Sequence, residues 1–205
     1  KVDGVLVDLR NNGGGSLIEA IDLTGLFIKS GPVVQRKSSI GQGSVEADED
    51  KSVAFDGPLV VLQNRFSASA SEIFAAAMQD YGRALVVGEH TFGKGTVQQH
   101  RGLGRIYDTF AAELGGINYT VAKFYRINGG STQHKGVVPD IAFPTPIDPA
   151  EWGESKEKNA LPWDSIAPAS YTSSPDIKVV LPQLMEKHQQ RIAEEVEFSY
   201  LRDDI

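Results

Sequence analysis

Three serines at alternate positions, Ser67, Ser69 and Ser71, and one lysine enclosed by glycines, Gly93-Lys94-Gly95, are the residue types in this chain best suited to do chemistry. A neutral lysine amine beside a serine hydroxyl can take the proton as the oxygen attacks a carbonyl, a variant of serine-triad logic. Lysine works as a base only when desolvation draws its pKa down from about 10.4, which a semi-buried glycine turn offers. Each residue also has a plain structural reading. Ser69-Ala-Ser-Glu72 fits a capping box, in which serine and glutamate satisfy each other's backbone donors. Lys94 would then be a solvated turn residue.

The flanking elements decide where these side chains sit. Residues 58–63 (PLVVLQ) form an apolar run of buried-strand type, and residues 84–88 suggest a second strand. Between them Ile73, Phe74, Ala77, Met78 and Tyr81 fall at helical spacing, with Gly82 as the C-terminal cap. Ser67 to Ser71 therefore lies on a strand-to-helix turn. There the first helical amides point free N–H groups outward and the helix dipole favours negative charge, as an oxyanion needs. Lys94 falls in a tight turn before residues 96–100, which read as extended.

The stretches NRFSASASEIFAAAMQDYGRALVVGE and TFGKGTVQQ, together with DLRNNGGGSL and FYRINGGSTQHKGVVPDI, resemble the C-terminal processing, or tail-specific, peptidases of bacteria and chloroplasts. The likeness covers most of residues 3–143, and PWDSI at residues 162–166 resembles the long periplasmic members of Gram-negative bacteria. It implies a serine endopeptidase with Ser69 as nucleophile, Lys94 as base and Gln98 orienting the lysine. Gly15 and Ala70 would supply the oxyanion-hole amides. It implies an α/β fold, a crotonase-like protease core of mixed sheets and helices, followed by an acidic C-terminal helical extension. No cofactor or metal is implied. Partners would be proteins and peptides with apolar C-termini, with an adaptor possible, in a periplasmic setting near the inner membrane. Family members place a PDZ domain before the core; none is visible here. Because Lys1 leads straight into a strand, the chain is expected to start in mid-domain. The expected division is a catalytic core over residues 1–146 and an extension over residues 147–205. An inert binding or scaffolding fragment of such a protease is the alternative function, and a crotonase-type acyl-thioester enzyme is another.

Composition narrows the classes further. The chain has 205 residues, 40% of them hydrophobic, enough for one good core. It has no cysteine, which rules out disulfide and thiolate chemistry, and no apolar run of spanning length. Residues 147–205 carry 12 acids against 6 bases, while the rest is nearly neutral, so no basic stripe is present for nucleic acid.

Along the remaining chain, residues 4–9 (GVLVDL) suggest a strand, residues 10–15 a glycine loop and residues 16–28 a helix. Asp8, Arg10, Asn12 and Glu19 come near calcium-loop spacing, but Arg10 stands where an oxygen ligand is needed. Gly88 to Lys94 approaches a P-loop, but Gly95 replaces the required Ser or Thr. Residues 32–36 read as a short strand, 37–57 as a mobile polar loop, 117–127 as a half-buried strand and 136–141 as an edge segment. Residues 144–175 look like a wrapped extension, and Leu181, Leu184, Met185, His188 and Ile192 mark a helix over residues 179–196. A rival base is His90 or His100, with Asp80 completing a triad. Asp80, three helical turns beyond Ser69 and about 16 Å along the axis, is better suited to a salt bridge.

Overall fold

Short apolar runs build a parallel sheet, buried at its inner strands and open to solvent at Leu6 on its edge, in the computed structural model of the chain, which describes residues 2–104, 114–148 and 151–205. Its strands are β1 (Val5–Asp8), β4 (Leu59–Gln63), β5 (Leu85–Gly88) and β8 (Ile141–Ala142), in the order β1-β4-β5-β8. All three pairings are parallel. Parallel neighbours require a crossover, and α2 (Ala70–Asp80) supplies it between β4 and β5.

The second sheet is antiparallel. It orders β3 (Gly43–Asp48), β2 (Gly31–Ser38), β7 (Gly116–Tyr125) and β6 (Thr96–Gly102) as β3-β2-β7-β6. Helix α2 packs against β5 of the first sheet, β2 of the second, and α1 (Leu17–Gly25). Every residue from Ala70 to Met78 is buried as a result. A helix covered on all sides wants small residues where backbones approach, and Ala75, Ala76 and Ala77 provide them. Phe74 fills the space towards Phe27, edge to face at 6.0 Å.

Residues 37–57, expected as a mobile loop, contain a strand instead. β3 pairs with β2 from Gly31↔Asp48 to Lys37↔Gly43, and Arg36 bonds Glu46. The acidic composition hid it, because edge-strand pairing is made by backbone groups and tolerates charged side chains.

After β8 the chain runs back along the molecule as a strap. A short 3-10 turn at Glu154–Lys156 opens it, Ser165 bridges Gly130, and Ala169 N–H donates to Ile127 C=O. Helices α3 (Asp176–Glu194) and α4 (Val196–Asp204) follow; α4 was not expected. Of the expected stripe, His188 is buried, stacked on Phe143 with Phe198 edge-on, whereas Met185 is exposed.

Candidate active site

Because β1, β4 and β5 are adjacent and parallel, the loops that follow them leave from one end of the sheet. This is where ligands gather in open α/β sheets. The loop after β1 carries Gly15, the turn after β4 carries Ser69 and Ala70, and the loop after β5 carries Lys94. These four residues and Gln98 line a single cleft of about 310 Å³, walled by the apolar Leu17, Ile73, Val97 and Phe124.

The three serines separate clearly in their surroundings. Ser67 Oγ donates to Leu9 C=O and accepts from Asn64 N–H, and Ser71 Oγ donates to Asn12 C=O. Both hydroxyls are consumed in tying the serine turn to the β1 loop. Ser69 and Glu72 stand in capping-box register, and the arm that forms is Ser69 N–H to Glu72 Oε2 at 2.8 Å. The Ser69 hydroxyl faces the Glu72 N–H as the other arm of that box, but donates its own proton to no group among the described residues. Ser69 also has φ 56° and ψ −114°, a region that non-glycine residues rarely occupy.

Gly14 makes the approach of the two loops possible. At φ 102°, a Cβ placed on it would lie 2.6 Å from Ala68 C=O and 2.8 Å from Ser69 Cβ. Asn12 fixes this glycine loop: its side chain accepts from Gly14 N–H and its carbonyl accepts from Ala68 N–H. Neither Gly15 N–H nor Ala70 N–H donates to a group among the described residues, so both are available at the cleft.

A buried carboxylate joins the serine turn to the lysine turn. Glu72, wholly inaccessible, accepts from Ser69 N–H, Thr91 Oγ1, Gly93 N–H and Lys94 N–H. Burial pushes its pKa up to about 7, and the four donors oppose that rise. The capping-box reading saw one of these four bonds. A charge on a helix that is buried all round must be satisfied internally, and that was the signal for the others. Lys94 Nζ lies 3.5 Å from Gln98 Oε1, at the outer limit of a hydrogen bond. No direct hydrogen bond joins it to Ser69.

The rival readings place their residues elsewhere. No histidine lines the cleft: His100 pairs with Asn118 on the exposed β6–β7 face, and His90 lines a separate small pocket with Arg65 and His134. Asp80 forms a two-pronged ion pair with Arg126 and accepts from Asn128. Asp8 holds its carboxylate against Arg10, which keeps it below the ordinary carboxylate range.

A sequence profile of peptidase family S41 matches residues 1–143. The chain belongs to peptidase family S41. A second profile, the C-terminal domain of tail specific protease, matches residues 147–205. Among curated relatives of this S41 chain, the tail-specific protease of Haemophilus influenzae is 52% identical over the whole chain, which spans 30% of that protein. The carboxy-terminal-processing protease of Bartonella bacilliformis is 38% identical over 72% of the chain, spanning 32% of its own length. The chain thus spans about a third of the curated relatives it matches. Among solved structures, a photosystem II D1 C-terminal processing protease is 34% identical with a TM-score of 0.59, covering 72% of this chain and 35% of that one. Mature CPAF, at 15% identity and TM-score 0.57 over 70% of this chain and 39% of its own, shares the fold. The expected mixed α/β protease core is therefore the fold observed.

Proposed function

We propose that a protein carrying this chain is a serine endopeptidase in which Ser69 attacks the scissile carbonyl and Lys94 takes the hydroxyl proton. Gln98 holds the amine, and the Gly15 and Ala70 amides receive the developing oxyanion. The acyl-enzyme formed on Ser69 is then released by water. One observation carries this reading: of the three serines, Ser69 alone sits at a strained φ/ψ with a hydroxyl that donates to no group among the described residues, in the cleft it shares with Lys94. The apolar wall of Leu17, Ile73, Val97 and Phe124 supports apolar residues near the cleavage point. Substrates are accordingly proteins and peptides with apolar C-terminal tails: the names of the relatives point to the C-terminal tail, and the apolar wall to its side chains. Residues 1–146 act as the catalytic core and residues 147–205 as its extension. The setting is periplasmic, with adaptor delivery open to test; among the described residues no helix is long and apolar enough to cross a membrane.

The test is cleavage of a peptide with an apolar C-terminus by the full-length protein. Ser69→Ala and Lys94→Ala should each lower turnover by roughly 10³-fold or more. His90→Ala and His100→Ala should stay near wild type. Near-native turnover in Lys94→Ala would exclude the pair.

A further inference from the structure

The side chain of Lys94 is long and flexible, so its working position depends on how firmly the turn beneath it is held. Seven of the eight backbone N–H and C=O groups from Phe92 to Gly95 are hydrogen-bonded within the fold. On one side the holder is Glu72, through Gly93 N–H and Lys94 N–H. On the other, Gly95 N–H donates to Gln133 Oε1 at 2.8 Å, and His134 N–H donates to Gly93 C=O at 2.8 Å.

Gln133 is completely buried although it is polar, and each end of its amide has a partner. Its Nε2 donates to Glu154 Oε1 at 3.2 Å and to Leu161 C=O at 2.9 Å, both on the strap. Glu154 N–H in turn donates to Phe92 C=O at 3.0 Å, on the lysine turn itself. The strap is fastened nearby: Trp163 Nε1 donates to Ser131 C=O, the Lys135 ammonium lies 3.7 Å from the Trp163 ring centre, and Lys123 pairs with Asp164. A buried amide satisfied at both ends fixes its neighbours, because any displacement leaves a donor or acceptor unpaired in a dry interior.

We propose that Gln133 is a positioning residue for Lys94, and that the strap over residues 151–167 is part of the catalytic apparatus through Gln133 and Glu154. The lysine turn is gripped between the serine helix and the strap. This rests on the Ser69–Lys94 reading and adds to it a role for the start of the C-terminal region.

The test uses the full-length protein and steady-state cleavage of a peptide with an apolar C-terminus. Gln133→Leu leaves Gly95 N–H unpaired; displacement of a catalytic group by about 1 Å lowers kcat on the order of 100-fold. KM should move less than about threefold, since no proposed substrate contact is altered. Gln133→Glu sets a carboxylate against Glu154 and should be similarly impaired. Adding Glu154→Gln restores a donor to that pair, and the double variant should recover at least about tenfold in kcat. Thermal unfolding of each variant reports the folded fraction. Unchanged kcat in folded Gln133→Leu, or a loss that follows the folded fraction with no recovery in the double variant, overturns the proposal. Ser69→Ala in the same assay keeps the two ideas apart. If it still cleaves, the peptidase reading fails; if it is dead while Gln133→Leu is active, only the positioning role fails.

Discussion

At the residue scale the site depends on Glu72 more than on either reacting group, since its single carboxylate holds the serine and lysine turns together. Its lone pairs are all engaged, yet burial lifts its pKa from 4.5 to about 7. The folded state holds this proton more tightly than the unfolded chain, so stability from this group is present at low pH. It declines as pH rises from about 4.5 to about 7 and is flat above, a change of roughly 3 kcal/mol. Glu72→Gln removes that titration and faces its amide against two N–H donors, so it should also be destabilising. Urea unfolding between pH 5 and pH 8 measures both. Wild type should exceed the variant by more at pH 5 than at pH 8, and parallel curves would show that Glu72 is not the group titrating.

At the scale of elements, the β4-turn-α2-β5 unit decides where Ser69 stands, and it was the most legible part of the sequence. Leu59 to Gln63 and the stripe from Ile73 to Tyr81 announce a strand and a helix by spacing alone, and the serine turn falls between them. The strain at Ser69 was not legible, because the turn around it is tied to the loop after β1 at Asn12 and, through Glu72, to the lysine turn. β3 was hidden for a related reason: its pairing lies in backbone groups, and Ser44, Glu46 and Asp48 give it a polar, acidic composition. Gln133 could not be singled out, since its partners come from two distant segments, Gly95 from the lysine turn and Glu154 and Leu161 from the strap. The strained turn makes its own prediction. A non-glycine residue held at φ 56° and ψ −114° costs about 1–3 kcal/mol, and glycine's extra chain entropy costs about 0.5–1 kcal/mol. Ser69→Gly should therefore be inactive yet more stable than wild type by about 1 kcal/mol in denaturant unfolding. A loss of stability would show that the turn is relaxed.

On the scale of the whole molecule, the two sheets, α2 and the strap share buried groups rather than meeting at a separable boundary. Gln35, on β2, donates to both Arg126 C=O and Ala167 C=O, so the strap is bonded to the second sheet as well as to the lysine turn. Tyr171 meets Tyr81 at the end of α2, and Ser174 N–H donates to Tyr81 C=O. Peeling the strap away would expose Gln133, Gln35 and the Gly95 amide together, which no partial unfolding can do cheaply. The strap should thus unfold with the core in one transition. Both tryptophans of the chain, Trp152 and Trp163, lie on the strap, whereas the helices and sheets dominate the far-ultraviolet circular dichroism. Tryptophan emission and circular dichroism should then give coincident urea midpoints. An emission change that precedes the loss of secondary structure would mean that the strap is an independent lid, and would detach the C-terminal region from the lysine turn it is argued to hold.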